Sequence, residues 1–290
     1  MTAKAWFLAA RPKTLVAGVV PVAVGSSLAF RDGHFSWAVA AAALIGALFI
    51  QVGTNLANDY FDFKKGADTS KRLGPPRATQ QGWLTPRAVL TGSLVCFAMS
   101  FLIGLYLVSV AGLPMLIIGI TSILAGYAYT GGPYPLAYHG LGDVFVLVFF
   151  GFVAVCATYF AHTGGVSPIA FAAAVPVGLL GVALLAVNNT RDEETDAEAG
   201  KRTLVVRFGR RFGQLEYVTA IAISALVPVL LWASGSASAW VLASLASLPL
   251  AIPPLRLVWR ERGPVLNDAL AGTAKLQLVF GALLAGGLTQ

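Results

Sequence analysis

The sequence predicts an all-α membrane protein: a polytopic bundle of about nine transmembrane helices. Three observations carry that expectation. Apolar residues make up 57% of the 290-residue chain. Charged residues make up only 11%, where a soluble domain carries roughly 25%, and mean hydropathy is +0.75. The apolar residues also run in continuous stretches, each near the roughly 20 residues a helix needs to cross a hydrocarbon core. Lipid offers the backbone no hydrogen-bond partner, so a span must be a helix or part of a closed barrel. Unbroken apolar runs, as opposed to alternating ones, select the helix.

In chain order the runs fall near 14–30, 35–57, 88–109, 112–130, 141–161, 166–187, 213–233, 238–255 and 264–288. Several hold proline, as at Pro21, Pro114 and Pro176, which bundled membrane helices tolerate better than soluble ones. The first run lacks a clear small-residue cleavage site and reads as retained. Cys96 and Cys156 each sit alone in an apolar run and read as packing residues. No low-complexity linker or soluble domain interrupts the pattern, so residues 1–290 read as a single integral-membrane domain.

Charge orients the bundle. With the amino terminus inside and nine helices following, 18 of the 20 basic residues fall on the inner side. They are Lys4, Arg11 and Lys13, then six between Lys64 and Arg87 (Lys71 among them), six between Arg191 and Arg211, and Arg256, Arg260 and Arg262. Only Arg31 falls outside, while Lys275 lies within the last span, two turns from Asp268. This is the positive-inside pattern. The net charge of +7 is therefore first a topology signal, and no basic soluble face suggests nucleic-acid binding.

The 13 acids are concentrated. Asp59, Asp62 and Asp68 follow the second run, and Asp192, Glu193, Glu194, Asp196 and Glu198 follow the sixth. Asn55, Asn58, Asp59 and Asp62 fall at i, i+3, i+4 and i+7, and Asn188, Asp192 and Asp196 at i, i+4 and i+8. Each set shares one helix face. The recurrence suggests two diverged four-helix repeats plus one further helix, each repeat placing its acids on its second helix. The glutamates read as solvating groups. The aspartates read otherwise, because two facing acid stripes repel unless cations lie between them. Asp and Asn oxygens are hard ligands suited to Mg²⁺, which binds a few carboxylates and leaves positions for phosphates. Lys64, Lys65, Arg72 and Arg77 flank the first motif; Arg191, Lys201 and Arg202 flank the second. Acids, a divalent cation and bases together make a diphosphate site. There is no Walker-type loop, so a lipid-embedded site points to a polyprenyl diphosphate.

NDYFD at 58–62 and DEETDAEAGKRT at 192–203 resemble the two Asp-rich motifs of the UbiA superfamily of intramembrane aromatic prenyltransferases. ARPKTL at 10–15, RLGPPRATQQGWLTPRAV at 72–89, YTGGPYPLAYHGLGDVFVLVFFG at 129–151 and NNTRDEETDAEAGKRTLVVRFG at 188–209 are similar to its 1,4-dihydroxy-2-naphthoate polyprenyltransferase (MenA) branch. The resemblance implies a Mg²⁺-dependent enzyme in a bacterial cytoplasmic (inner) membrane, its active site facing the cytoplasm. It would join a polyprenyl diphosphate to a dihydroxynaphthoate-like acceptor, with loss of CO₂ and later oxidation, to give demethylmenaquinone. Two Mg²⁺ ions would be held by Asp59, Asp62, Asp192 and Asp196, with Asn55 and Asp68 as further ligand candidates. The wider family pattern wants an acid at position 66, where this chain has Gly66 and offers Asp68 instead. Diphosphate contacts would come from Asn58, Lys65, Arg72, Arg77, Asn188, Asn189 and Lys201. Tyr60, Tyr127, Tyr129 and Tyr134 are candidates to face the allylic cation, since aromatic faces attract cations.

The segment 130–143 reads either as a lid or acceptor wall, with His139 and Asp143 near the acceptor's phenolic group, or as a tight connector. Arg11 reads as an inside anchor; Lys13 is either an anchor or a substrate contact. Rival readings are a related prenyltransferase acting on 4-hydroxybenzoate, homogentisate or a chlorophyllide-like ring, and a secondary transporter. Transporter sites usually lie near the midplane, whereas these acids lie at the helix ends.

Overall fold

A computed structural model describes residues 2–69 and 72–290. Lys71, counted among the inner cations, lies outside the described residues. All nine apolar runs fall on helices, and no strand occurs among the described residues. A short helix α1 (Ala3–Ala10) and a 3₁₀ turn lead at a bend of 51° into α2 (Val16–Arg31). Then come α3 (Trp37–Lys64), α4 (Pro86–Ala111), α5 (Leu113–Ala128), α6 (Gly142–Thr163) and α7 (Pro168–Glu198). After a single turn, α8 (Leu204–Phe208), come α9 (Arg210–Ala233), α10 (Ala239–Arg260) and α11 (Gly263–Leu288).

Among the described residues seven helices are long and apolar enough to cross a membrane, eight if the bent α1–α2 pair makes one span. α5 supplies a ninth apolar segment but is only 16 residues long. The expected nine is therefore approximate, and the all-helical membrane bundle stands. Outward side chains match a lipid face: Leu94, Leu102, Leu105, Ile117 and Leu124 are exposed. Trp37, Trp232 and Trp240 are exposed at the helix ends remote from the acid motifs, as aromatic residues are at a membrane interface. Lys275 and Asp268 are exposed and form no ion pair with each other, so the pairing raised by their spacing is absent. Cys156 is buried and Cys96 half-buried, both as free thiols.

Small residues hold the bundle together, because helices in lipid associate through close packing. α2 meets α6 at Gly25, where a Cβ would lie 2.5 Å from the carbonyl oxygen of Val155. α6 meets α7 where Gly151 and Gly178 face each other: a Cβ on Gly151 would lie 2.9 Å from the Gly178 Cα. This contact falls in a π-helical stretch of α6, Leu147–Val153. The main core joins α2, α6, α7 and the last three helices around Val24, Leu28, Leu180, Leu276 and Phe280. Helices α9–α11 thus back α2 and α7, while α2–α7 surround an open interior.

The two longest helices, α3 and α7, run past their apolar stretches and carry the acid motifs on these extensions. α1 covers the connector between α3 and α4: Ala5 and Ala9 pack with Leu56, Ala78 and Leu84.

Gly25→Ala is expected to lower stability by about 1–3 kcal/mol, the usual cost of overpacking against backbone. Gly286, with open space around it, serves as the control: Gly286→Ala should leave the thermal midpoint in detergent unchanged or slightly raised.

Candidate active site

Helices α2 to α7 enclose a cavity of about 380 Å³. Its mouth is polar and its depth apolar. Asp62 lines the mouth and Ala43 the far end, 19 residues apart on α3, which is ~28 Å at the helical rise. Val22, Leu107, Met115 and Ala161 close the far end.

Both acid stripes reach the mouth. From α3 come Asn58 and Asp62; from α7 come Asn188, Asn189, Asp192 and Asp196. Each stripe therefore presents Asn-x-x-x-Asp, and the second adds one more turn. The Asp62 carboxylate accepts from Tyr138 Oη at 2.8 Å, Arg77 Nη2 at 3.2 Å and Lys201 Nζ at 3.3 Å. Lys201 also lies 3.7 Å from Asp196. Burial works against the Lys201 ammonium, but Asp62 and Asp196 together hold its pKa above the ordinary lysine value. Burial and Asp62 raise the Tyr138 phenol, keeping it a donor. Arg191 grips Asp192 with two nitrogens, at 2.8 and 2.6 Å. Its third nitrogen donates to Asn267 of α11, which in turn donates to the carbonyl of Leu73.

The structure gives several of the expected site residues other contacts. Asp59 does not line the cavity. Its carboxylate accepts from the backbone N–H groups of Ala78 (2.9 Å) and Thr79 (3.3 Å) and from the Thr79 hydroxyl. It is one position round the helix from Asn58, so it faces the connector and fastens it. Asp68 likewise does not line the cavity: it pairs with Arg72 at 2.5 Å and Arg77 at 3.3 Å. Burial pushes the Asp68 carboxyl up to about 6, against the pull of Arg72. In this arrangement it holds the two arginines. Asn55 lines the cavity, but its amide nitrogen donates to Ala10 O and Thr14 Oγ1, bracing the bend before α2.

Of the expected phosphate contacts, Arg72, Arg77 and Lys201 line the cavity; Lys65 does not. Lys65 donates to the carbonyl of Thr130 and sits 4.2 Å from the Tyr138 ring. Of the aromatic candidates only Tyr129 lines the cavity. Tyr134 is exposed and stacks on His139 at 3.7 Å, both outside the cavity. Tyr60 packs in the cluster under α1, and Tyr127 sits edge-on to Phe61. Asp143 does line the cavity.

Residues that sequence reasoning passed over or read otherwise complete the site. Arg11 is not a surface anchor: it lines the cavity and donates to Asn55 O, and its left-handed backbone (φ 53°) makes the bend. Tyr138, not Tyr134, reaches the acids. Phe145 and Phe149 stack at 4.6 Å beside Tyr129 and line the cavity below its mouth. The π-helical turn there is a common mark of functional sites.

The donor set fits a hard divalent cation. Asn58, Asp62, Asn188, Asp192 and Asp196 offer only oxygen ligands around one mouth. Among the described residues no three His, Cys, Asp or Glu side chains converge on one point. Such a cation would therefore share its coordination between protein oxygens and phosphate oxygens, the usual habit of Mg²⁺. Arg77 Nη1 is buried with no hydrogen-bond partner, a donor left for an anion.

Fold and site define an integral-membrane bundle whose polar mouth suits a cation-bound anion and whose depth suits an apolar tail. The chain belongs to the UbiA prenyltransferase family, whose pattern matches residues 18–279. It is 38% identical to the 1,4-dihydroxy-2-naphthoate octaprenyltransferase of Escherichia coli (strain K12), over 98% of this chain and 95% of that one. It is 31% identical to the protein of the same name in Bacillus subtilis (strain 168), over 96% and 90%. Among solved structures, a UbiA homolog from Archaeoglobus fulgidus bound to DMAPP and Mg²⁺ shares the fold: TM-score 0.63, 19% identity, covering 96% of this chain and 98% of that one.

Asp59→Ala and Asp62→Ala should separate. Loss of Asp59 orphans two backbone donors, about 1–3 kcal/mol, and should speed proteolysis between residues 72 and 82 while leaving measurable activity. Loss of Asp62 should abolish Mg²⁺-dependent activity.

Proposed function

We propose that this chain, acting as one integral-membrane domain, transfers a polyprenyl group from its diphosphate to 1,4-dihydroxy-2-naphthoate, releasing CO₂ and diphosphate and giving the hydroquinone whose later oxidation yields demethylmenaquinone. The observation that carries the diphosphate half is the cavity mouth: two Asn/Asp stripes interleaved with Arg72, Arg77 and Lys201, Arg77 Nη1 unpaired, above an apolar interior. The acceptor half is supported by near full-length similarity to relatives named for that reaction.

Asn58 and Asp62, and Asn188, Asp192 and Asp196, would hold Mg²⁺, two ions by the two-stripe arrangement. When bound, the metal draws off the negative charge that grows on the leaving diphosphate. Arg77, Arg72 and Lys201 neutralise phosphate oxygens and keep the group at the mouth. The prenyl chain lies along the apolar interior. Tyr129, Phe145 and Phe149 line the wall where the allylic carbon becomes cationic, and their faces attract that charge while excluding water. The mouth would face the cytoplasm from a bacterial inner membrane, a reading supported by the bias of basic residues to the acid-motif side.

Purified protein in detergent should prenylate the naphthoate only with Mg²⁺, and EDTA should stop it. Asp192→Ala should lower the rate at least about a hundredfold, the scale of losing a preorganised electrostatic group. Carboxyl-labelled acceptor should release labelled CO₂. Mg²⁺-dependent product with 4-hydroxybenzoate or homogentisate alone would retain the mechanism and reject this acceptor. For orientation, in a background without Cys96 and Cys156, Gly66→Cys should react with an impermeant maleimide only in inverted vesicles. Gly33→Cys should react only in right-side-out ones.

A further inference from the structure

Asp62, Asp192 and Asp196 at the mouth, and Asp68 behind it, each pair with an arginine or lysine. Asp143 does not. It is 7% exposed, lines the cavity, and its Oδ1 is buried without a hydrogen-bond partner among the described residues. It stands in the first turn of α6, on the helix face whose later members Val146, Phe150 and Val153 also line the cavity. The backbone there is pressed against the wall: a Cβ on the preceding Gly142 would lie 3.2 Å from the Tyr129 hydroxyl and 3.3 Å from Leu185. Leu185 is one turn of α7 deeper than Asn188, so Asp143 lies on the apolar side of the acid stripes. Glu216 of α9 lies within electrostatic reach but does not line the cavity and brings no positive charge.

A carboxylate with no internal cation, an empty acceptor position and an apolar setting is unsuited to phosphate, which it repels. It suits a hydroxyl donor. Resting on the acceptor reading above, we propose that Asp143 is a catalytic residue that takes and returns the proton of the acceptor hydroxyl beside the carboxylate-bearing carbon. Its carboxylate accepts that proton, and the oxygen's electrons raise the nucleophilicity of the neighbouring ring carbon. That carbon bonds to the prenyl C1 as the C1–O bond breaks, its electron pair leaving on diphosphate. The ring now carries a ketone beside a quaternary carbon bearing carboxylate, a β-keto acid arrangement. The C–CO₂ bond breaks, CO₂ departs, and the electron pair moves to the ketone oxygen, which recovers its proton from Asp143. Asp143 ends as it began, and no oxidant or reductant is needed.

The test compares wild type with Asp143→Asn across a series of ring-fluorinated acceptors of falling hydroxyl pKa. Asp143→Asn should lower kcat by about 10² or more with the parent acceptor, the scale of a lost general base. Its KM for prenyl diphosphate and its thermal midpoint should stay at wild-type values. The deficit should shrink as the acceptor hydroxyl becomes more acidic, a trend that a structural defect would not produce. Asp143→Glu, which keeps the acid, is run beside it in case the amide variant fails to fold; it should keep part of the activity and the shallow wild-type acceptor dependence. A deficit below threefold, one equal for every acceptor, or a matching loss of prenyl diphosphate binding overturns the proposal. Failure of the acceptor reading shows separately, in the wild type alone, and the series is then run on the hydroxyarene that the wild type does prenylate; prenylation of none overturns both.

Discussion

The carboxylate of Asp62 is where separate parts of the chain meet. It sits at the last turn of α3, buried, and draws in Arg77 from the connector after α3, Tyr138 from the connector after α5, and Lys201 from the connector after α7. Removing an ion from water is costly, and a buried charge persists only when its partners replace the lost hydration. Asp62 therefore forces the connectors to fold over the helix ends, and that folding makes the mouth.

Its neighbours extend the same constraint. Asp59 fastens the residues just after Arg77 to α3, so the arginine that meets Asp62 arrives on a braced turn. Asp68 holds Arg72 and Arg77 from behind. Arg202 N donates to Tyr138 O, and Arg207 donates to His139 O, so the connectors bearing Tyr138 and Lys201 are joined directly. Arg191 and Asn267 anchor the first connector to α7 and α11. The mouth is thus a network in which cations already occupy the carboxylates. A metal–diphosphate unit would add positive charge and several negative oxygens together, so carboxylates can turn to metal while arginine and lysine turn to phosphate. Total charge in the mouth changes little through such an exchange, which suits a site of low dielectric.

The fold class and the two stripes were legible in the sequence because helical periodicity is local information. Asn58 with Asp62, and Asn188 with Asp192 and Asp196, follow from spacing alone. What spacing could not do was separate Asp59 from Asp62: both lie on the broad polar face of α3, and only the position of residues 78 and 79 decides that Asp59 is spent on them. Among the aromatic candidates Tyr129 reaches the cavity and Tyr60, Tyr127 and Tyr134 do not, a division that spacing could not make for the same reason. Within YTGGPYPLAYH nothing local distinguishes Tyr134, stacked outside on His139, from Tyr138, which crosses to another helix. Arg11 looked like one more inner cation because its entry into the cavity depends on a left-handed bend, with Arg11 the only non-glycine of positive φ among the described residues. Charge counting predicts an orientation; it could not say which charges turn inward.

The contrast among the acids explains how one cavity can serve two reactants. Breaking the allylic C–O bond needs strong positive charge at the oxygen end and none along the carbon chain. The chain meets this by placing its cavity-lining bases, Arg11, Arg72, Arg77, Arg191 and Lys201, around the mouth, and by giving the deeper wall aromatic and aliphatic groups with a few neutral polar ones such as Gln51, Ser100 and Thr158. An ammonium or guanidinium beside Phe145 would repel the allylic cation; a paired carboxylate would already be occupied. One unpaired carboxyl at the boundary, on the helix that also carries the aromatic wall, is the arrangement that leaves the cation unopposed and still gives a hydroxylated ring something to bind.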